Sequence, residues 1–133
     1  KERQARYQRI ADAASEQCGR TIPLRIHPVA SFSDALGTHR KTDTIVLLWE
    51  GETELALDQV LRGNAPSRLS LFVGPEGGFT ESEARLAREH GALCASLGKR
   101  ILRAETAGIV ACALFQYCWG DLGRRQGEEP LKG

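Results

Sequence analysis

Apolar residues recur at helical spacing near the start of the chain, where Tyr7, Ile10, Ala11, Ala14 and Cys18 share a face. This spacing predicts a helix over residues 3–18, with Gly19 placed to stop it. A short extended run follows from Leu24 to Val29, broken at Pro28. Ser31 to Leu36 predicts a short helix, with Ser31 as its cap and Asp34 three residues on. Thr44 to Trp49 is continuously apolar, the pattern of a strand buried on both faces. Glu54 to Leu61 predicts a short helix ending at Gly63, and Leu69 to Val73 a second buried strand. That strand runs straight into Gly74-Pro75-Glu76-Gly77-Gly78. Thr80 and Glu83 then form a T-x-x-E capping box, and the helix it opens runs to about His90, before Gly91. Leu93 to Leu97 is a third strand, closed by Gly98. The last helix runs from about Ala104 to about Trp119. Its stretch Ile109 to Phe115 is apolar on every side, which places it at the centre of the core or in an interface with another subunit.

Strands alternating with helices predict an α/β fold, a mostly parallel sheet flanked by helices. Ligands of such sheets gather in loops beyond the carboxyl ends of the strands. Two glycine-bearing loops lie there, at 74–78 and 98–103.

Composition narrows the class without changing the fold. At 133 residues the chain is one domain, and 41% hydrophobic with 26% charged residues excludes a disordered one. A core of that size needs neither a metal nor a disulfide. The four cysteines, Cys18, Cys94, Cys112 and Cys118, lack metal-ligand spacing and read as small buried hydrophobes of a reduced, cytoplasmic protein. The longest apolar run, Ile109 to Phe115, is too short to span a membrane, and the first ten residues are too charged for a signal peptide. The sequence has no methionine and opens Lys1-Glu2-Arg3-Gln4, so it reads as a processed product, a domain, or a chain missing its first residues. Residues 124–133 read as a loose polar tail. A net charge of +1 gives no global argument for nucleic acid, although residues 1–25 are locally basic and 43–58 acidic.

Chemistry concentrates in the two loops. The 74–78 loop is neither a P-loop nor a G-x-G-x-x-G fingerprint, and spacing alone leaves a tight turn and a ligand loop equally open. Glu76 could face a cationic or hydroxylated ligand, or only a helix N-terminus. In the second segment Lys99, Arg100 and Arg103 sit beside a helix start, where the dipole favours anions; a solvated charge run is the alternative. Glu105 and Thr106 there suit capping and dipole roles. Arg20, just past the first helix, is by spacing an ordinary dipole partner. No G-x-S-x-G elbow occurs, and the three histidines are scattered.

Leu71-Phe72-Val73-Gly74-Pro75-Glu76-Gly77-Gly78-Phe79-Thr80 and Leu97-Gly98-Lys99-Arg100-Ile101-Leu102-Arg103-Ala104-Glu105-Thr106-Ala107 resemble the two signatures of the RsmE family of SPOUT-class methyltransferases. Glu16-Gln17-Cys18-Gly19-Arg20 and Gly120-Asp121-Leu122-Gly123 resemble that family too, so the likeness spans residues 5–123. The resemblance implies S-adenosylmethionine-dependent methylation of N3 of a uridine in small-subunit ribosomal RNA, on a fold with a C-terminal deep trefoil knot. It implies a cytoplasmic homodimer acting on ribosomal RNA or the small subunit, with no membrane and no metal. Carried over, Gly74, Pro75, Glu76, Gly77, Gly78, Leu97, Gly98, Ile101 and Leu102 are expected to hold the cofactor. Arg103 is expected to stabilise the uridine anion and Arg20 to orient RNA, while Glu76 serves either as base or as organiser of its loop. The family's N-terminal RNA-binding barrel has no counterpart here, so residues 1–123 are expected to be the catalytic domain with its RNA grip largely removed. A SPOUT enzyme with another RNA substrate and a non-catalytic RNA-binding dimer are the alternatives.

Overall fold

A computed structural model describes residues 2–18, 24–39, 44–52, 54–98 and 103–124. Contacts divide the chain into two units, Lys1–Ala35 and Leu36–Gly133. In the first, helix α1 spans Glu2–Cys18, as its spacing predicts. The segment after it, 24–30, has no regular secondary structure and pairs with no strand among the described residues. Its backbone is satisfied by side chains of α1 instead. Gln8 Nε2 donates to the Leu24 carbonyl at 2.7 Å, and the Ile26 amide donates to Gln8 Oε1 at 2.6 Å. Gln4 Nε2 adds a bond to the Ile26 carbonyl at 3.1 Å, so two glutamines do the work of a neighbouring strand. Helix α2, Phe32–His39, opens with Ser31 Oγ accepting from the Asp34 amide, the cap the sequence calls for.

Among the described residues the second unit holds a three-stranded parallel sheet of order β2-β1-β3, formed by Thr44–Leu48 (β1), Leu69–Val73 (β2) and Leu93–Ala95 (β3). β1 is central, and after Thr44 its apolar run Ile45 to Leu48 is buried throughout. β2 departs from the buried strand its sequence predicts. It lies at the sheet edge, half-buried, with Val73 exposed. Among the described residues it has one strand neighbour instead of two.

Helix α3 is shorter than its pattern predicts, Leu57–Leu61 instead of a start at Glu54. The reason is competition for the backbone. The Ser96 amide donates to the Leu55 carbonyl and the Leu57 amide to the Ser96 carbonyl, an isolated parallel bridge at Ala56 that holds 55–56 extended. Helix α4, Glu81–Glu89, carries the predicted capping box: the Thr80 amide donates to Glu83 Oε1 at 2.8 Å, and the Glu83 amide to Thr80 Oγ1 at 3.1 Å. Ala84 and Ala87 form its buried face, and Gly91, at φ +86°, ends it in the left-handed region.

Helix α5, Ala104–Trp119, is not buried all round. Ala107, Ala111 and Phe115, spaced by four, are buried against Val46, Leu48 and Ala95 together with α3, while Ile109 on another face is 72% exposed. α5 and α3 therefore cover one face of the sheet. α4 covers the other, where the Cys94 Sγ lies 3.7 Å from the Ala84 carbonyl. Cys94 is the one cysteine fully in the core; Cys18 and Cys112 are exposed and Cys118 is intermediate, so the expectation of four buried thiols is corrected. They differ because a cysteine on an apolar run is buried only where its face of the element meets another. The Trp119 ring packs on Phe115, but its buried Nε1 finds no acceptor among the described residues. Arg124, first residue of the predicted tail, is tied back by its amide to the Asp121 carbonyl and by its guanidinium to the Tyr117 carbonyl; 125–133 lie outside the described residues.

Replacing Thr80 by Ala removes one half of the capping box and is expected to lower unfolding stability by about 1 kcal/mol in urea titration. An unchanged midpoint would show that Glu83 alone suffices.

Candidate functional site at the carboxyl ends of the strands

Because all three strands run the same way, the chain leaves each of them at one end of the sheet. The loop after β2 begins at Gly74 and closes a tight turn, with the Gly78 amide donating to the Pro75 carbonyl at 2.7 Å. Gly77, third residue of that turn, has φ +91°, the left-handed conformation a type II turn requires at this place. Gly78 follows at φ +75°. The loop folds so closely upon itself that a Cβ on Gly74 would meet Gly78 and Phe79 backbone atoms at 2.9–3.0 Å. Glu76 sits in the turn with its side chain exposed.

The loop after β3 begins at Ser96. Leu97 packs against the core, so it turns its apolar bulk inward, and Gly98 follows at φ +114° with open space where a Cβ would stand. Ile101 and Leu102 lie outside the described residues, as do Lys99, Arg100 and Arg20. The described residues do not show the trefoil knot that the resemblance implies. Arg103 is described. It is the N-cap residue of α5, exposed, and supplies no side-chain cap. Nor do Glu105 and Thr106 cap the helix: both are exposed and lie inside its first turn, past the N-cap position. Helix α5 reaches the same end of the sheet, since a Cβ on Gly108 would lie 3.8 Å from Val73 Cγ2, beside the start of the glycine turn. The structure thus gathers Gly74 to Gly78, Leu97, Gly98 and Arg103 at one end of the sheet.

Four residues there escaped the sequence reading: Trp49, Glu52, Phe79 and Arg88. Trp49 follows β1, and its backbone amide donates to the Ala95 carbonyl at 3.0 Å. Its indole Nε1 donates to the Phe79 carbonyl at 3.1 Å. The Arg88 guanidinium lies over the indole, 5.5 Å from the ring centroid, and pairs with Glu52. Glu52 Oε2 also accepts the Glu54 and Leu55 amides at 3.0 and 2.9 Å. Trp49, Glu52, Leu55, Arg88 and Leu93 are among the residues lining an open cavity of about 750 Å³. Burial pushes the Cys94 thiol up, with Arg88 pulling the other way, so this thiol stays protonated and unreactive. Only the arginine four residues from Ala84 on the amphipathic α4 could have hinted at such a cluster; Glu52 reads in sequence as part of an acidic run.

The Leu55 amide, then the Glu54 amide and Arg88, hold the Glu52 carboxyl below its ordinary value of 4.5, against the upward push of burial. A carboxyl whose folded value is depressed stabilises the protein above its unfolded value and stops doing so as pH falls through the folded one. Glu52→Gln is therefore expected to cost stability at pH 7, the difference from wild type shrinking below pH 4.5 in urea titrations. A pH-independent difference would contradict this account.

The RNA methyltransferase domain model matches residues 1–116. Ribosomal RNA small subunit methyltransferase E of Bacillus subtilis is 35% identical over 123 residues, covering 88% of this chain and 48% of that protein. Its counterpart from Synechocystis is 36% identical over 110 residues, covering 81% of this chain and 36% of that protein. The chain therefore spans half or less of the length of these relatives. Among solved structures, that of the Neisseria gonorrhoeae enzyme of the same name, bound to S-adenosylmethionine, superposes with a TM-score of 0.81 at 37% identity, over 90% of this chain and 49% of that one. A Legionella pneumophila methyltransferase in complex with the same cofactor gives 0.75 at 31% identity, over 86% and 46%. With the family's domain model covering residues 1–116 and its parallel sheet shared with these structures, the chain belongs to the RNA methyltransferase domain family, that of ribosomal RNA small subunit methyltransferase E.

Proposed function

We propose that this chain is an S-adenosylmethionine-dependent methyltransferase domain acting on N3 of a uridine in small-subunit ribosomal RNA. The observation that carries this reading is the pair of glycine loops at one end of a parallel sheet. Gly77, Gly78 and Gly98 expose bare backbone in left-handed conformations, with nothing within 4 Å of where a side chain would begin. An adenosine and an amino-acid tail need such walls, where amides and carbonyls approach without side chains between. The residues present fit the cofactor. Gly74, Pro75, Glu76, Gly77 and Gly78 would form one wall, and Leu97, Gly98, Ile101 and Leu102 the other. The cofactor held by the Neisseria and Legionella relatives and the ribosomal RNA named for the family support the same assignment.

When bound, S-adenosylmethionine supplies an electrophilic methyl group on a sulfonium. The work left to the protein is position and charge. Uridine N3 carries a proton whose loss leaves negative charge over O2 and O4. The exposed Arg103 guanidinium at the α5 N-cap is suited to meet that charge, at a helix end that already favours anions. Glu76, exposed in the turn, serves as the base or orders the loop. Arg20 orients the RNA through a phosphate or the base. The uridine leaves its stack to enter the site. The protein acts in the cytoplasm, where ribosomes assemble.

The full chain is expected to bind S-adenosylmethionine by calorimetry; no heat at millimolar cofactor would overturn the reading. Arg103→Ala is expected to keep cofactor affinity while methylation falls by about 10²-fold or more, as for loss of one preorganised charge partner. Wild-type turnover in that variant would remove Arg103 from the chemistry, and mass mapping of the modified nucleotide tests uridine N3 against another RNA target.

The chain acts as a homodimer in this proposal. Support comes from α5, where Ile109 and Tyr117 are 72% and 47% exposed on a helix whose opposite stripe is buried. Sedimentation is expected to give twice the 14.6 kDa chain mass, and Ile109→Glu to give the monomer. A wild-type monomer at tens of micromolar would refute it.

A further inference from the structure

We propose that Trp49 is a positioning residue that fixes the spacing of the two glycine loops. It stands at the carboxyl end of the central strand and bonds both ways. Its backbone amide holds the Ala95 carbonyl, at the root of the Gly98 loop, and its indole Nε1 holds the Phe79 carbonyl, where the 74–78 turn rejoins the chain. One residue therefore links the two loops, its backbone bonded to the strand that leads into the second and its indole to the end of the first.

The indole is itself held from several sides. Arg88 covers its ring, and Glu52, whose side chain is only 8% exposed, anchors Arg88 while its other oxygen is fixed by two backbone amides. Gly51 lies so close to the benzo ring that a Cβ there would stand 2.5 Å from Trp49 Cζ2. Any side chain at position 51 would displace the indole. The tryptophan is thus preset before a ligand arrives, and the loop it anchors is spared part of the ordering cost on binding.

The consequence for binding rests on the cofactor reading above, but the strut does not. Amide exchange of the full chain without ligand tests the strut alone. In Trp49→Phe, which keeps an aromatic ring under Arg88 and deletes the N–H, the Gly78 amide is expected to exchange about tenfold faster, as for loss of one hydrogen bond, with Val46 and Leu47 unchanged. Arg88→Met is expected to reproduce this and Arg88→Lys, which keeps a cation over the ring, to restore protection. Unchanged Gly78 exchange, or a uniform rise that includes β1, overturns the proposal. With cofactor, Trp49→Phe is expected to raise KM for S-adenosylmethionine about tenfold and leave kcat unaltered. A fall in kcat alone would also overturn it. If the wild type binds no cofactor while Gly78 exchange responds as described, the methyltransferase reading falls and the strut stands.

Discussion

Parallel pairing of β1 with β2 on one side and β3 on the other sends all three strands in one direction, and the site exists because of it. Each strand's carboxyl end becomes the root of a loop, so residues 74–78, 96–98 and 49–52 meet at one edge although they are far apart in sequence. The pairing depends in turn on burying β1 on both faces, with α3 and α5 on one side and α4 on the other. A polar residue at Val46 or Leu47 would leave an unsatisfied group in the middle of that stack. The chemistry is thus hung from the most deeply buried strand in the described sheet.

The two tryptophans show how the same side chain takes on different duties. Trp119 packs beside Phe115 at the end of α5, its N–H without an acceptor among the described residues. Trp49 spends its N–H on the carbonyl that ends the glycine turn. Around it, charge is neutralised locally: Arg88 is matched by Glu52, and Glu52 by backbone amides. Among the described residues of the glycine-loop region, the charged Arg103 and Glu76 are exposed.

Much of this was legible along the chain, for reasons that differ by element. The Thr80 capping box, the Ser31 cap and the Gly91 stop are local: Thr80 and Glu83 bond each other, and the Asp34 amide bonds Ser31, whatever surrounds them, while the predicted stop at Gly19 lies outside the described residues. The continuous apolar run of β1 announces burial on both faces because no amphipathic pattern competes with it. The two loop signatures carried the family resemblance, since glycines needed at positive φ cannot be exchanged without strain, and the family and the parallel sheet flanked by helices agree with the solved relatives.

Tertiary structure alone decided the rest. An apolar run cannot say which strand lies at an edge, so β2 reads like β1 until its single neighbour is known. Helix propensity at 54–56 gives way to the bridge with Ser96, a partner forty residues on in sequence. The apolar α5 hides that one stripe is buried and another exposed, because its pattern is hydrophobic on both. Trp49, Glu52 and Arg88 share no spacing at all; only the β2–α4–β3 crossover brings Arg88 over a ring that precedes it by 39 residues. Sequence determined the elements, their caps and the glycine loops, which depend on neighbours in the chain. The fold decided what holds those loops in place, which depends on neighbours in space.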